Sequence, residues 1–397
     1  MNPQPRNPQP RHHEHELVQA ARALAPELRE HTRAIEAANR LPAEWANKLA
    51  ESGFFRMLVP ASLGGGEVHP GVLACVLEEL ARGDSAASWC VMVGSTAGPM
   101  LAYLQADEAS ALFADDQAIL AAVFAPMGRA VPDGDGYRVS GRWPFASGCQ
   151  NATWFMGNAL IFDDGLDGRP RMAEDGSPLL TSMWIPTAEA HIHDTTWSVS
   201  GLRGTGSHDI EVRDAWVPAA RTTRIFRDRP RQDGPLYTFP LTGIFALGIA
   251  GAALGTARAA LDAFAAQCQR KRPGRRAAAQ QGHVQLAYAH AEAELRAGRA
   301  FLLQAIDEVW AKALAKSVNE GDRALLRMAA SHAVKASVRA VDTAYHLGGG
   351  SAIYDRNPLS RHFRDIHTMT QHQMVAPGAD KLVGRVLLGV ETDTFQL

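Results

Sequence analysis

Between residues 118 and 218 the spacing of apolar residues falls toward two, and on either side of that window it runs at three and four. A period near 3.6 lines up one face of a helix and a period of two lines up one face of a strand, so this chain has to change architecture twice. Before the window, residues 14–37 are charged and rich in Ala and Leu, and 41–53 open on Leu41-Pro42 and stop at Gly53. Residues 72–82 and 86–104 are two further helical runs, the second apolar on nearly every face and so expected to be buried. Inside the window, Asp133-Gly134-Asp135-Gly136 reads as a hairpin turn, and 153–162, 180–186, 190–194 and 209–217 read as strands.

From residue 241 the helical period returns. Val284, Ala287, Ala291, Leu295, Leu302, Ile306, Val309 and Ala313 form one stripe. Leu325, Ala329, Ala333, Ala336, Ala340 and Leu347 form another, which starts after an Asn319 cap with Asp322 in its first turn and stops at Gly348-Gly349-Gly350. Alanine faces let antiparallel helices pack closely, which predicts a bundle. The expected organisation is α+β: a disordered tail over 1–13, an N-terminal helical domain over 14–117, a β domain over 118–225 and a helical bundle over 226–397.

Composition removes several functions. The 397 residues carry a formal net charge of -2, with no basic excess to hold nucleic acid or an anionic lipid surface. Cys75, Cys90, Cys149 and Cys268 make no CxxC pair, so neither a zinc site nor a disulfide framework is expected. The repeat Asn-Pro-Gln-Pro-Arg at 2–6 and 7–11 blocks helix. His12, His13 and His15 follow it, but a flexible tail is a poor metal site, so no metal is expected. Neither an apolar leader nor a run of 18 apolar, uncharged residues is present, and a cytoplasmic protein without a membrane partner is the expectation.

The patterns GxSxG, GxGxxG, the Walker loop and HExxH are all missing, against a hydrolase elbow, a Rossmann site, an NTPase and a zincin. His191 and His193 share a strand face without further ligands that the sequence can place. The segment Gly141-Arg-Trp-Pro-Phe-Ala-Ser-Gly148 is different in kind, because it sets one hydroxyl, Ser147, beside a glycine and among aromatics.

Four segments in order resemble the acyl-CoA dehydrogenase superfamily: 141–148, Gly201-Leu-Arg-Gly-Thr-Gly-Ser-His-Asp209, Gly348-Gly349-Gly350, and Arg364-Asp-Ile-His-Thr-Met-Thr-Gln-His372. The resemblance covers nearly all of the chain after the tail. It implies an N-terminal helical domain, a middle β-barrel or sandwich, and a C-terminal four-helix bundle, with flavin between the last two. It implies that Ala146-Ser147-Gly148 touch the flavin ring, with the Ser147 hydroxyl on N5, and that Phe145 or Trp143 is the ring-facing aromatic. N5 alternates between donor and acceptor as flavin cycles, and a hydroxyl can serve either state. Phe124, Gly349, Thr370 and Arg272 are the other cofactor contacts it implies, Arg272 through the basic run Arg270-Lys-Arg-Pro-Gly-Arg-Arg276.

One departure decides the chemistry. Acyl-CoA dehydrogenases remove an α-proton with a glutamate. Its two usual positions fall near Gln373 and Phe245, neither of which can accept a proton. A histidine in the C-terminal loop resembles instead the oxygenase components of two-component flavin-dependent monooxygenases, the 4-hydroxyphenylacetate hydroxylase-like group. These take reduced FMN or FAD from a separate NAD(P)H:flavin reductase. They react it with molecular oxygen and pass the distal oxygen of a C4a-hydroperoxide to an aromatic or heteroaromatic substrate. By that resemblance His372 donates to the peroxide, His367 is structural, and Arg364 and Asp365 are an ion pair. The relatives' phenol-binding histidine is replaced by Ser95 or Thr96, and Trp89, Met92, Phe245 and Met369 are the expected remaining substrate pocket. A homotetramer is expected. Three other readings stay open on the sequence: an N-oxygenase of the same fold, a divergent acyl-CoA dehydrogenase, and a non-catalytic flavin-binding protein.

Overall fold

The computed structural model describes residues 12–163, 168–225, 227–269, 278–394 and 397. Its first part is helical: α1 (Glu16–Ala38), α2 (Ala43–Glu51), α3 (Pro70–Gly83), α4 (Ser85–Ala97) and α5 (Ala106–Leu112). Asp84 separates α3 from α4 and caps α4, its carboxylate accepting from the Ala87 N–H at 2.9 Å. The single helix expected over 86–104 ends at Ala97 and tightens into a 3-10 turn, Gly98–Tyr103, because Pro99 has no N–H to continue the α ladder. His12 is not part of a free tail. It lies buried in the turn His12–Glu14, with its Nε2 2.7 Å from Asp307 and its ring stacked 4.4 Å from that of His69. Residues 1–11 lie outside the described residues.

Seven strands follow: β1 (Leu120–Asp133), β2 (Gly136–Ala146), β3 (Trp154–Ile161), β4 (Leu180–Pro186), β5 (His191–His193), β6 (His208–Pro218) and β7 (Thr222–Thr223). They form one mixed sheet in the order β5-β6-β2-β1-β3-β4-β7, and β4 and β6, with three strands between them in that order, touch each other, so the sheet curls around a shared core that includes Val139, Phe155, Ile185 and Ile210. The hairpin at Gly134-Asp135 sets the β1–β2 register, with Asp133 opposite Gly136. The β1–β3 pair is parallel, and the rest are antiparallel.

The chain then returns to helix: α6 (Pro235–Thr238), α7 (Leu241–Cys268), α8 (Gly282–Leu314), α9 (Glu320–Gly348), α10 (Pro358–Met369) and α11 (Pro377–Leu387). The long antiparallel helices are those expected from the alanine stripes, and a full capping box between Asn319 and Asp322 starts α9. α7 is long and apolar enough to cross a membrane by composition, with mean hydropathy 1.6, yet 94% of that window is buried inside the protein, where α7 packs against α3 and α9. It is a core helix.

One contact ties the sheet to the bundle. The loop before β6 runs against α10 so closely that a Cβ on Gly201 would stand 2.1 Å from the Arg364 carbonyl oxygen. Beside it, the Leu202 N–H donates to the Asp365 carboxylate at 2.7 Å. Segment 364–369 is therefore helix rather than loop. Nor do Arg364 and Asp365 pair with each other: neighbours on a helix point apart. Arg364 reaches Glu36 at 2.5 Å and Asp365 faces Arg361 at 3.9 Å.

Burial pushes the Asp365 carboxyl up to about 7, against the partial opposition of Arg361. A carboxyl whose pKa is higher folded than unfolded binds more protons in the folded state between the two values, so its ionisation weakens the fold as pH rises from about 4 to 7. Asp365→Asn keeps an oxygen for the Leu202 N–H and cannot ionise. Its stability relative to wild type should climb across that window, by at most about 1.4 kcal/mol per pH unit, and level off above pH 7. Urea titrations of both proteins from pH 4.5 to 8 measure this; a constant difference would contradict it.

Candidate functional site

β2 carries the aromatic segment to the edge of the sheet. In a regular strand Trp143 and Phe145 would share a face. Pairing with β6 slips between Trp143 and Ala146, and the bulge turns the two apart. Phe145 adopts φ 63, a left-handed conformation that bulky residues rarely take, and is 69% exposed with its ring edge-on to Trp197 at 6.2 Å. Trp143 goes inward. It is fully buried, donates its Nε1–H to the Asn158 carbonyl at 2.9 Å and meets Phe155 edge-on at 5.3 Å. A Cβ on Gly128 would stand 2.3 Å from its ring. Trp143 is therefore sheet core and not a ring-facing residue, which corrects that half of the expectation. Phe145 alone is free to lie on a ligand. Ala146 is fully buried and paired with His208 of β6, so it leaves no surface for a ligand, which corrects that expected contact.

After the bulge the chain turns sharply. The Ser147 N–H bonds the Phe145 carbonyl at 2.9 Å, and Gly148, at φ 73, donates its N–H to the Thr205 carbonyl at 2.9 Å. The Ser147 hydroxyl is buried. It accepts the Trp89 Nε1–H at 3.2 Å and lies 2.6 Å from Ser207 Oγ, which lies 2.6 Å from Thr205 Oγ1. Trp197, Thr205 and Ser207 were missed by sequence reasoning, although the last two stand inside the segment 201–209 that carried part of the resemblance.

His372 follows α10, past the Thr370 cap, whose own hydroxyl donates back to the His367 carbonyl. The Met374 N–H donates to His372 Nδ1 at 3.2 Å, which leaves the ring proton on Nε2. The surface of the ring is open to solvent. Protein nevertheless crowds it on its other sides, and burial together with the Arg327 charge lowers its pKa to about 4. His372 is thus neutral at pH 7 and offers one N–H. Arg327, buried on α9, holds the same turn through the Met374 carbonyl at 2.6 Å, and burial brings its own pKa down to about 10. The signal for it was one arginine on the alanine-rich face of α9.

Trp89 on α4 joins the two halves: its N–H meets Ser147 and its ring stands 5.8 Å from His372, edge-on. The other expected residues divide. Phe124 and Phe245 pack on each other at 4.8 Å, and Met92 lies against α7 beside Gly248. Ser95 and Thr96 offer nothing to a pocket, which corrects that expectation. Both are buried, with Ser95 bonded to the Phe54 carbonyl at 2.9 Å and Thr96 to the Met92 carbonyl at 2.8 Å one turn back. Met369 is fully buried in the bundle core and leaves no surface for a ligand, a further correction. Gly349 is exposed at φ 58 beyond α9. Arg272 lies outside the described residues.

This surface fits a flat heteroaromatic ring: an aromatic side chain thrown outward by a strained bulge, a neutral N–H donor, and a hydroxyl oxygen with unused capacity. Residues 11–110 match the family model described as acyl-CoA dehydrogenase, N-terminal domain, and 247–377 match the acyl-CoA dehydrogenase, C-terminal domain. The chain is 30% identical to a pigment production hydroxylase of Rhodococcus erythropolis, over 92% of this chain and 94% of that one. It is 30% identical to the oxygenase component of an FADH(2)-dependent resorcinol hydroxylase of Rhizobium sp., over 94% of each. Among solved structures, 3-HSA hydroxylase from Rhodococcus sp. RHA1 superposes with a TM-score of 0.88 at 26% identity, covering 97% of this chain and 100% of that one.

The two tryptophans should separate in a stability measurement. Trp89→Phe keeps a ring in place and loses one N–H bond, a loss of about 1 kcal/mol. Trp143→Phe opens a void in a closed core and strips the Asn158 carbonyl of its indole donor, a loss of about 2–4 kcal/mol. Equal losses in urea titration would contradict the placement of Trp143.

Proposed function

The chain belongs to the acyl-CoA dehydrogenase family, and from that premise we propose that it is the oxygenase component of a two-component flavin-dependent monooxygenase. The observation that carries this reading is His372: a neutral Nε2–H donor beside Trp89, next to Gln373, where a dehydrogenase would need a carboxylate. Gln373 and Phe245 cannot take an α-proton, so the same architecture serves another reaction.

When bound, reduced FMN or FAD supplies two electrons to dioxygen, so that one oxygen atom enters the substrate and the other leaves as water. The chain's own residues bind, orient and protect. Phe145 would lie on the ring and Ser147 would meet N5, with Gly148 keeping the turn narrow enough for both. His372 would donate its Nε2–H to the negative charge that develops on oxygen, as a donor already fixed in direction before the reaction. Phe124, Phe245 and Met92 form the apolar wall on the β1, α7 and α4 side. The substrate is a small aromatic or heteroaromatic molecule, in keeping with the resorcinol hydroxylase relative. A separate NAD(P)H:flavin reductase is the partner, supported by the relative's description as an oxygenase component. A homotetramer is supported by Leu387, Leu388 and Val390, which leave apolar surface exposed at and beyond the end of α11. Work in the cytoplasm is supported by four cysteines that are all free and buried.

Supplied with NADH and FMN or FAD alone, the purified protein should oxidise almost no NADH. Adding a flavin reductase should start substrate oxidation. Rapid NADH oxidation without the reductase would sink the two-component reading.

His372→Ala removes one donor to a developing oxyanion, worth about a hundredfold in rate. Reduced-flavin affinity should stay within several-fold, while oxygen consumed is released increasingly as hydrogen peroxide. The measurement is the ratio of product to hydrogen peroxide at fixed oxygen uptake. An unchanged ratio would remove His372 from the reaction.

A further inference from the structure

The hydroxyl chain behind Ser147 has a direction. Thr205 Oγ1 lies 2.8 Å from the Leu202 carbonyl oxygen, which can only accept, so the Thr205 proton points there. A hydroxyl has one proton. With that of Thr205 in use, the 2.6 Å contact between Thr205 and Ser207 requires Ser207 to donate. The 2.6 Å contact between Ser207 and Ser147 then requires Ser147 to donate. Ser147 also receives the Trp89 Nε1–H at 3.2 Å. All three hydroxyl residues are buried, so water does not reset the order. Running the chain the other way would leave two oxygens 2.8 Å apart with no proton between them, a repulsive contact at a buried site.

Ser147 is left with one lone pair and no proton to offer. We infer that Thr205, Ser207 and Trp89 are positioning residues that make Ser147 a pure hydrogen-bond acceptor toward its ligand, and that this selects reduced over oxidised flavin. The inference rests on the flavin reading above. Reduced flavin carries a hydrogen on N5 and can donate to Ser147. Oxidised flavin presents a lone pair at N5, which would face a second lone pair. An oxygenase that receives its cofactor reduced from another protein needs this preference, because the oxidised form must leave before the next reduced one arrives.

The test is binding, not turnover. Dissociation constants are measured for dithionite-reduced FMN and FAD without oxygen, and for the oxidised forms, by flavin fluorescence and absorbance. Wild type should bind the reduced form at least about tenfold tighter, the weight of one hydrogen bond. Ser207→Ala removes the acceptor that holds the Ser147 proton. Oxidised flavin should then bind about tenfold tighter, with reduced-flavin binding within about threefold of wild type. Thr205→Val should move the ratio the same way, and Thr205→Ser should keep the wild-type ratio. If Ser207→Ala and Thr205→Val weaken both forms equally, or leave the ratio alone, the residues are merely structural and the inference is wrong while the flavin reading stands. If wild type binds neither form, both fall together.

Discussion

The bond from the Leu202 N–H to the buried Asp365 carboxylate is the contact on which the site depends. It presses the loop 201–207 against α10, where Gly201 leaves no room for a side chain over the Arg364 carbonyl. From that one loop, the Thr205 carbonyl holds the Gly148 N–H, Ser207 reaches Ser147, and the Leu202 carbonyl sets the direction of the hydroxyl chain. A shift of α10 would therefore move the turn at Ser147 and the histidine at 372 together. Asp365 sits there at a cost, since burial opposes its charge. The acceptor is needed more than the charge is, because an unpaired buried N–H would itself be expensive.

Trp89 performs the second joining, between the N-terminal helices and the site. Its N–H meets the turn after β2 and its ring meets the turn after α10, and no other natural side chain combines that reach with a single donor. This explains why α4, apolar all round, is more than packing.

What the sequence disclosed follows from how local each signal is. The helical stripes at 284–313 and 325–347, the hairpin at 133–136 and the Asn319 cap depend on neighbours within a few residues, and the helices and hairpin appear close to where the pattern puts them. Trp143 and Phe145 could not be told apart, because their separation depends on a slip in pairing with β6, some 65 residues away along the chain. Ser95 and Thr96 looked available because a hydroxyl's composition says nothing of whether it bonds back to its own helix, as Ser95 does to the Val91 carbonyl and Thr96 to the Met92 carbonyl. Trp197 was invisible for the same reason as the hydroxyl chain, because it matters through long-range contacts, and Arg327 showed only as a charge on an alanine-rich face, with no sign that it reaches the Met374 carbonyl. Ser147 and His372 stood out through resemblance, while the groups that orient them did not.

The charge state of His372 connects the fold to the chemistry. A histidine near the surface ordinarily titrates around pH 6.5 and would be partly cationic in the working range. Here the Met374 N–H occupies Nδ1, and the Arg327 guanidinium stands close by, anchored to the Met374 carbonyl. Burial first and the like charge of Arg327 second discourage a second proton, and the Met374 N–H fixes which nitrogen carries the one that remains. The ring is thereby kept as a one-proton donor with its direction set. A cation at the same place would attract anions from solvent, whereas a glutamate would repel the negative charge that builds on reduced oxygen. A neutral N–H avoids both, and with Ser147 accepting on the other side of Trp89, the site offers one donor and one acceptor at separate points of a single flat ligand.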